Sequence, residues 1–300
     1  MRMRKTAAAA TVVLALTATA TACGGKSGTA GDNAGEGYEG SYKVAKNVSF
    51  DSPTLKRAQK AGKIVVGVKA DQPFLGYQDT SGNYSGFDIE IARMIAADLG
   101  FSEKQIKFDT VDSNVRETAI SHHQVDYYVG TYTMNDERKK QVGFAGPYYT
   151  AGADLLVRKD EKDITGPGSL KGKKVCSITG STPLAEIKKP QYGAETTELS
   201  KYSDCVKQLR DGTVDAVTTD DAILKGYAAK YQGQLKVVGK PFTKEPYGVG
   251  MDKDDKVLRG KITDALEKHI ANGDYKAAYQ ATLGKSGSPY KAPKTPLPRY

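Results

Sequence analysis

The sequence predicts an α/β fold in two lobes, each a mainly parallel sheet flanked by helices. Three observations carry that expectation. Between Lys63 and Thr131, short apolar runs alternate with segments of helical spacing, the signature of strand–helix–strand units with parallel strands. From Lys174 to Val238 the same alternation starts again. About 240 residues follow the N-terminal leader and tether, enough for two hydrophobic cores.

The chain opens with a basic stretch, Arg2, Arg4 and Lys5, and an apolar stretch from Ala7 to Leu16. Ala20-Thr21-Ala22 then precedes Cys23. That layout is a signal peptide over residues 1–22, too short to remain as a membrane span. Cysteine directly after small residues resembles a lipoprotein cleavage box, with Ala20 in place of the usual aliphatic residue. Acylation of Cys23 is the expectation, and plain secretion with cleavage nearby the alternative. Gly24 to Gly40 is rich in Gly, Ser, Ala and Asn, which cannot bury enough surface to fold. Residues 23–50 are therefore expected to be a lipidated flexible tether.

In the folded part, Ile64 to Val68 reads as a buried strand. Phe87, Ile91, Met94, Ile95 and Leu99 fall at helical spacing, closed by Gly100 as the C-terminal cap. Ile106 to Phe108 is a strand, Val115 to Ser121 a helix, and Val125 to Thr131 a third strand. In the second unit, Lys174 to Ile178 is a strand and Gly180-Ser181-Thr182 opens a helix. Cys205 to Leu209 is helical, Val214 to Thr218 extended, Asp221 to Tyr231 helical and Leu235 to Val238 extended. Phe242 to Met251 returns toward the first unit, and Lys256 to Ala271 is an amphipathic helix. Pro293, Pro296 and Pro298 keep the C-terminus non-helical.

Composition excludes several functions. Net charge is +9, but three of those charges lie in the leader, leaving +6. Acids and bases are interspersed without a basic arm, so nucleic-acid binding is not expected. Apart from Cys23 the cysteines are Cys176 and Cys205. In an exported chain these most simply form one disulfide, with two buried thiols as the alternative. Neither a metal nor another cofactor is expected. The cysteines lack partners at ligand spacing, and the adjacent His122 and His123 diverge on a helix.

The segment from Thr131 to Tyr149 carries the chemistry. Thr131 and Thr133 alternate by two, so at a strand end both hydroxyls can face one side. Asn135 can cap the following helix, with Asp136 and Glu137 favoured in its first turn. Arg138 then offers a planar fork of donors suited to a carboxylate. By itself the pattern is also that of an ordinary strand–turn–helix with a surface arginine. A second segment, Gly86-Phe87-Asp88-Ile89-Glu90-Ile91 running on to Leu99, decides between the two. From about Lys63 to about Leu283 the chain resembles the family 3 extracellular solute-binding proteins, the polar amino-acid receptors of ABC importers.

The resemblance implies a periplasmic-binding-protein-like fold with a ligand cleft between lobes and no covalent chemistry. The chain would cross between lobes near Tyr148 to Ala153 and near Pro241 to Tyr247, giving residues 51–149 and 247–300 to lobe 1 and 150–246 to lobe 2. Arg138 matches the family's carboxylate-binding arginine, and Thr133 the residue assisting it. Gly130 and Thr131 fall where a carbonyl and a hydroxyl meet the ligand ammonium. Ser181 and Thr182 stand at a helix start that would complete the carboxylate cage. Asp220 falls at the ammonium-pairing carboxylate; a helix N-cap is its alternative role. Asp88 and Glu90 read as helix-start acids favoured by the dipole.

Side-chain preference follows from two departures. Relatives that take apolar, basic or amide side chains often have an aromatic residue where this chain has Gln72. They often have leucine or phenylalanine where it has Arg116. With Lys69 and Arg116 near the expected pocket, the chain resembles receptors for acidic amino acids, since paired cations attract a second carboxylate and repel lysine or arginine. Solvated surface charge is the alternative for both. The implied protein is a monomeric, lipid-anchored receptor on the outer face of the cytoplasmic membrane, delivering glutamate or aspartate to an ABC permease. A receptor for another polar amino acid such as glutamine, and a dehydratase-type cleft enzyme on the same fold, are the other readings.

Overall fold

The computed structural model describes residues 38–299; the expected signal peptide and the acylated Cys23 lie outside them. After α1 (Pro53–Ala61), β1 (Ile64–Val68) leads into a small hairpin sheet of β2 (Asp71–Gln72), β3 (Gly76–Gln78) and β4 (Tyr84–Ser85). Then follow α2 (Phe87–Asp98), β5 (Ile106–Thr110), α3 (Arg116–Ser121), β6 (Tyr127–Val129), α4 (Asp136–Lys139) and β7 (Gly143–Ala151). The second lobe holds β8 (Ala153–Arg158), β9 (Lys174–Ile178), α5 (Thr182–Ile187), β10 (Glu195–Leu199), α6 (Tyr202–Arg210), β11 (Ala216–Asp220), α7 (Asp221–Lys230) and β12 (Leu235–Val237). The chain then returns through β13 (Glu245–Met251), α8 (Lys256–Asn272) and α9 (Asp274–Ala281).

The two main sheets share one plan. Lobe 1 orders its strands β5-β1-β6-β13-β7 and lobe 2 orders its own β10-β9-β11-β8-β12. In each, three strands pair in parallel and the fourth runs against both its neighbours. Four of five strands therefore point one way. The reversed member is β13 in one sheet and β8 in the other, in each case the strand that has just crossed from the opposite lobe. Parallel neighbours need a helix to bring the chain back, whereas a crossing strand can enter from the cleft end directly.

The crossings are at Gly152 and between Val237 and Glu245. They run close together: a Cβ on Gly152 would stand 2.6 Å from the Thr243 carbonyl oxygen. Phe242 N donates to Ala153 O at 2.9 Å, and Ala153 N to Thr243 Oγ1 at 2.9 Å. Two short, mutually bonded segments are a suitable hinge.

Several boundaries differ from the sequence reading. The tether was expected to reach residue 50, but the chain lies on lobe 1 from Tyr38, with Tyr42, Val48 and Phe50 against its core. Buried Glu90 explains part of this, taking Tyr42 OH at 2.6 Å and Gly40 N at 2.9 Å. The strand expected over Val125 to Thr131 is confined to β6, because Thr131 turns into the left-handed region at φ 45°. The strand expected at Val214 begins two residues later and ends at Asp220. The proline-rich C-terminus is non-helical and docked, with Leu297 N donating to Glu267 Oε1 at 2.6 Å. Among the described residues no helix is long and apolar enough to cross a membrane.

Cys176 on β9 and Cys205 on α6 form a disulfide across 29 residues of chain. Closing such a loop removes conformational freedom from the unfolded chain, worth roughly 3–4 kcal/mol in the chain-entropy treatment. Reduction should lower the melting temperature while leaving the order of ligand preference unchanged, since the bridge lies inside lobe 2. Thermal unfolding with and without reductant checks this; equal melting temperatures with both thiols demonstrably free would refute it.

Candidate functional site

The carboxyl ends of β1 and β6 and the start of α4 face the β9–α5 junction and the end of β11 across the cleft. Asn135 sets the first part of this arrangement. Its Oδ1 accepts from Arg138 N at 2.9 Å, capping α4, which projects the Arg138 side chain back over the Thr131–Thr133 segment. Arg138 Nη1 donates to Thr133 O at 2.7 Å and Nη2 to Gly180 O at 2.9 Å. Arg116 Nη2 donates to that same Gly180 oxygen at 3.2 Å. Two lobe 1 guanidiniums thus converge on one lobe 2 carbonyl.

They are held there by groups that sequence reading missed. The Tyr132 ring lies 4.2 Å from the Arg116 guanidinium carbon and 5.2 Å from that of Arg138, a favourable place for a cation over an aromatic face. Glu117 Oε1 accepts from Tyr132 OH at 2.7 Å and stands 3.6 Å and 3.5 Å from the two Nε atoms. Burial, then the charge of Arg116, pushes Arg138 down to about 10, so it stays a cation at neutral pH.

From lobe 2 the cleft is faced by the carboxyl of Asp220. Its Oδ2 accepts from Tyr247 OH at 2.7 Å, and Oδ1 is buried without a hydrogen-bond partner. It occupies the N-cap position of α7 but makes no side-chain capping bond, so its carboxyl is not spent on the helix. Burial, then the charge of Glu245, pushes its carboxyl up to about 8. A buried carboxyl with one oxygen unpaired is a strong acceptor for a cation.

Arg116, Thr131, Thr133, Arg138, Ser181, Thr182 and Asp220 all border one cavity. Lys69 and Gly130 do not border it. Lys69 is nonetheless only 3 % exposed, which rules out a solvated surface lysine, and burial together with Arg116 pushes it down to about 8. At Gly130 a Cβ would meet Tyr128 OH at 2.7 Å, so the glycine permits close packing there. Ser181 Oγ is engaged as the α5 cap, accepting from Leu184 N at 3.2 Å, and Thr182 Oγ1 donates to Glu245 Oε2 at 2.7 Å. Tyr202 and Ile223 border the cavity as well; nothing local in the sequence marks either.

The cavity measures about 10 Å³, room for roughly one water. The lobes meet around it, and a Cβ on Gly180 would stand 2.9 Å from Asn114 Cα. An amino acid enters only if the lobes part. Among the described residues no three His, Cys, Asp or Glu side chains are placed to hold a metal. His123 lies 43 % exposed beside Asp252.

Asp88 stands in the first turn of α2, as expected of a helix-start acid, and has a further role. Oδ2 accepts from Thr131 N at 2.8 Å and Oδ1 from Tyr148 OH at 2.8 Å. It therefore holds the left-handed Thr131, whose hydroxyl and the Gln72 amide lie 3.2 Å apart. The alternation of Phe87, Ile89 and Ile91 with Asp88 and Glu90 was the available signal, because acids flanked on both sides by apolar residues leave no solvent face. Burial pushes Asp88 up to about 6 from an ordinary 3.8. A raised carboxyl favours the protonated folded state, so its contribution is fully present below about pH 4 and is lost as pH rises through about 6. That loss is roughly 3 kcal/mol by linkage. Asp88→Asn should flatten stability against pH over this window, read by denaturant unfolding at pH 4 and 7. An unchanged slope would show that another group titrates.

Residues 64–285 match the model for bacterial extracellular solute-binding proteins, family 3. The chain is 38 % identical over 241 residues to "Glutamate-binding protein GluB" of Corynebacterium efficiens, covering 77 % of this chain and 82 % of that one. It is 37 % identical over 228 residues to "ABC transporter glutamine-binding protein GlnH" of Bacillus subtilis, covering 76 % and 83 %. Among solved structures, "An ancestral arginine-binding protein bound to glutamine" is 35 % identical, with TM-score 0.70, covering 74 % of this chain and 98 % of that one.

Proposed function

The chain belongs to the family 3 bacterial extracellular solute-binding proteins, and from that premise we propose that it is an amino-acid receptor of an ABC importer, selective for glutamate or aspartate. The observation that carries the acidic preference is the convergence of Arg116 and Arg138 on the Gly180 carbonyl oxygen, at 3.2 Å and 2.9 Å. A carboxylate makes charge-assisted bonds about twice as strong as those to a neutral carbonyl, so an anion displaces that contact. With two guanidiniums available, a ligand with two carboxylates satisfies both.

In this reading Arg138 and Thr133 hold the α-carboxylate, and Arg116 the side-chain carboxylate, with Lys69 adding positive potential from behind. Asp220 pairs with the ammonium, and Thr131 assists it. The arginines lie on lobe 1 and Asp220 on lobe 2, so the ligand bridges the cleft and stabilises the closed form by contacts it cannot make in the open one. Delivery to a permease rests on the family and on relatives such as the one named "ABC transporter glutamine-binding protein GlnH". Acylation of Cys23 would keep the receptor at the outer face of the membrane, and mass spectrometry of the mature N-terminus tests it.

Glutamine is the second reading, favoured by that relative's name. A dehydratase-type enzyme is less well supported: Asp220 at the cavity could serve as a general acid or base, but the relatives named above are binding proteins. Calorimetry against glutamate, aspartate, glutamine, histidine and arginine separates these. Tightest binding by glutamate or aspartate is expected. Tightest binding by glutamine would overturn the acidic preference, and no binding of any amino acid would overturn the receptor.

A further inference from the structure

The small sheet of lobe 1 makes a second contact with lobe 2. Tyr227 OH on α7 donates to the Asp71 carbonyl oxygen and lies 3.5 Å from Asp71 Oδ2. Ser203 N, at the start of α6, donates to the same carboxylate at 3.1 Å. Lys230 Nζ donates to Tyr77 OH at 3.2 Å and stands 4.7 Å from its ring centroid. Between these contacts lies Gly226, where a Cβ would stand 2.5 Å from the Pro73 carbonyl oxygen. None of Asp71, Pro73, Tyr77, Ser203, Gly226, Tyr227 or Lys230 borders the ligand cavity.

Gly226 sits inside the ten-residue helix α7, where alanine is the better helix former. Helix formation gives no reason for a glycine there, whereas the approach of the Pro73 carbonyl does. That approach exists only while the lobes are together.

We propose that Asp71, Pro73 and Tyr77 of lobe 1 and Ser203, Gly226, Tyr227 and Lys230 of lobe 2 form a closure latch, with Gly226 its positioning residue. The latch touches no ligand. It sets the free energy of the closed form, and so scales affinity for every amino acid by one factor, because apparent affinity follows the population of the competent state. Selectivity stays with Lys69 and Arg116. This rests on the reading of the chain as a receptor that closes on its ligand.

Gly226→Ala and Tyr227→Phe test the latch. In Gly226→Ala, helix content by circular dichroism should be unchanged, because alanine is the better helix former. Affinity for glutamate and glutamine should fall together by about tenfold to a hundredfold, the scale of an overpacked contact. Tyr227→Phe should lower both by roughly fivefold, the scale of one lost hydrogen bond. Unchanged affinity in both variants would overturn the latch. A change in the glutamate-to-glutamine ratio would do so too, placing the residue in the pocket. Small-angle scattering without any amino acid gives a ligand-independent arm: Gly226→Ala should have the larger radius of gyration. If wild type binds neither glutamate nor glutamine, the receptor reading fails and scattering alone decides, equal radii overturning the latch.

Discussion

Arg138→Ala should abolish detectable binding of every amino acid that the wild type binds. The side chain is 9 % exposed and commits three of its nitrogens to Thr133 O, Gly180 O and Glu117 at 2.7, 2.9 and 3.5 Å. Truncating one member of a buried charge pair costs about 2–5 kcal/mol or more. The α-carboxylate is common to all amino acids, so the loss should not depend on the side chain. Arg138→Lys should recover only part of it, because an ammonium cannot reach two acceptors with a planar fork. Calorimetry decides, with a melting curve to confirm folding. Retention of wild-type affinity in Arg138→Ala would remove this arginine from the ligand site.

Arg116→Leu should weaken glutamate more than glutamine. The side chain is 3 % exposed, with its guanidinium over Tyr132 and its Nε buried without a hydrogen-bond partner. Hydrogen bonds to charged groups contribute about 1.5–3 kcal/mol and neutral ones about 0.5–1.5. The selectivity ratio should therefore shift by roughly fivefold to thirtyfold. Loss of the contact with Tyr132 weakens both ligands equally, so the ratio is the informative quantity. Lys69→Ala should act in the same direction but less strongly, as a flexible ammonium is less fixed than a guanidinium. The two changes should not add. Arg116 helps to push Lys69 down to about 8, and its removal leaves Lys69 a firmer cation. Equal losses for glutamate and glutamine would mean that Arg116 shapes the lobe without choosing the ligand.

Part of the candidate site was legible from local signals, while the roles given to its residues came from the family resemblance. The Asn135 cap and Arg138 three residues on are one turn of chain apart, and the structure places them as the helix-start rules require. Strands such as Ile64–Val68 and Lys174–Ile178 announced themselves by apolar runs bounded by turn residues. Thr131 shows where such rules stop. Alternation by two put its hydroxyl beside that of Thr133 as on a strand, whereas Asp88, 43 residues earlier in the chain, holds its amide in a left-handed turn. The tether boundary failed for the same reason, since the partner that fastens Tyr42 is Glu90, 48 residues away.

By itself, the sequence determined the α/β alternation, its repetition in two units, the helix caps, and the pairing of Cys176 with Cys205. Each of these follows from spacing within a few residues or from a count. Tertiary structure decided which of those residues meet. It brought Arg116 and Arg138 onto Gly180 O across 64 and 42 residues, set Glu117 and Tyr132 between them, and turned Asp220 toward Tyr247 rather than toward its own helix. It also buried Lys69 outside the cavity lining and closed a second contact at Gly226. Contacts across two lobes leave no periodic trace, because neither hydrophobic alternation nor capping chemistry reaches beyond one element. They are selected only when burial forces each charge and each close backbone approach to find its partner.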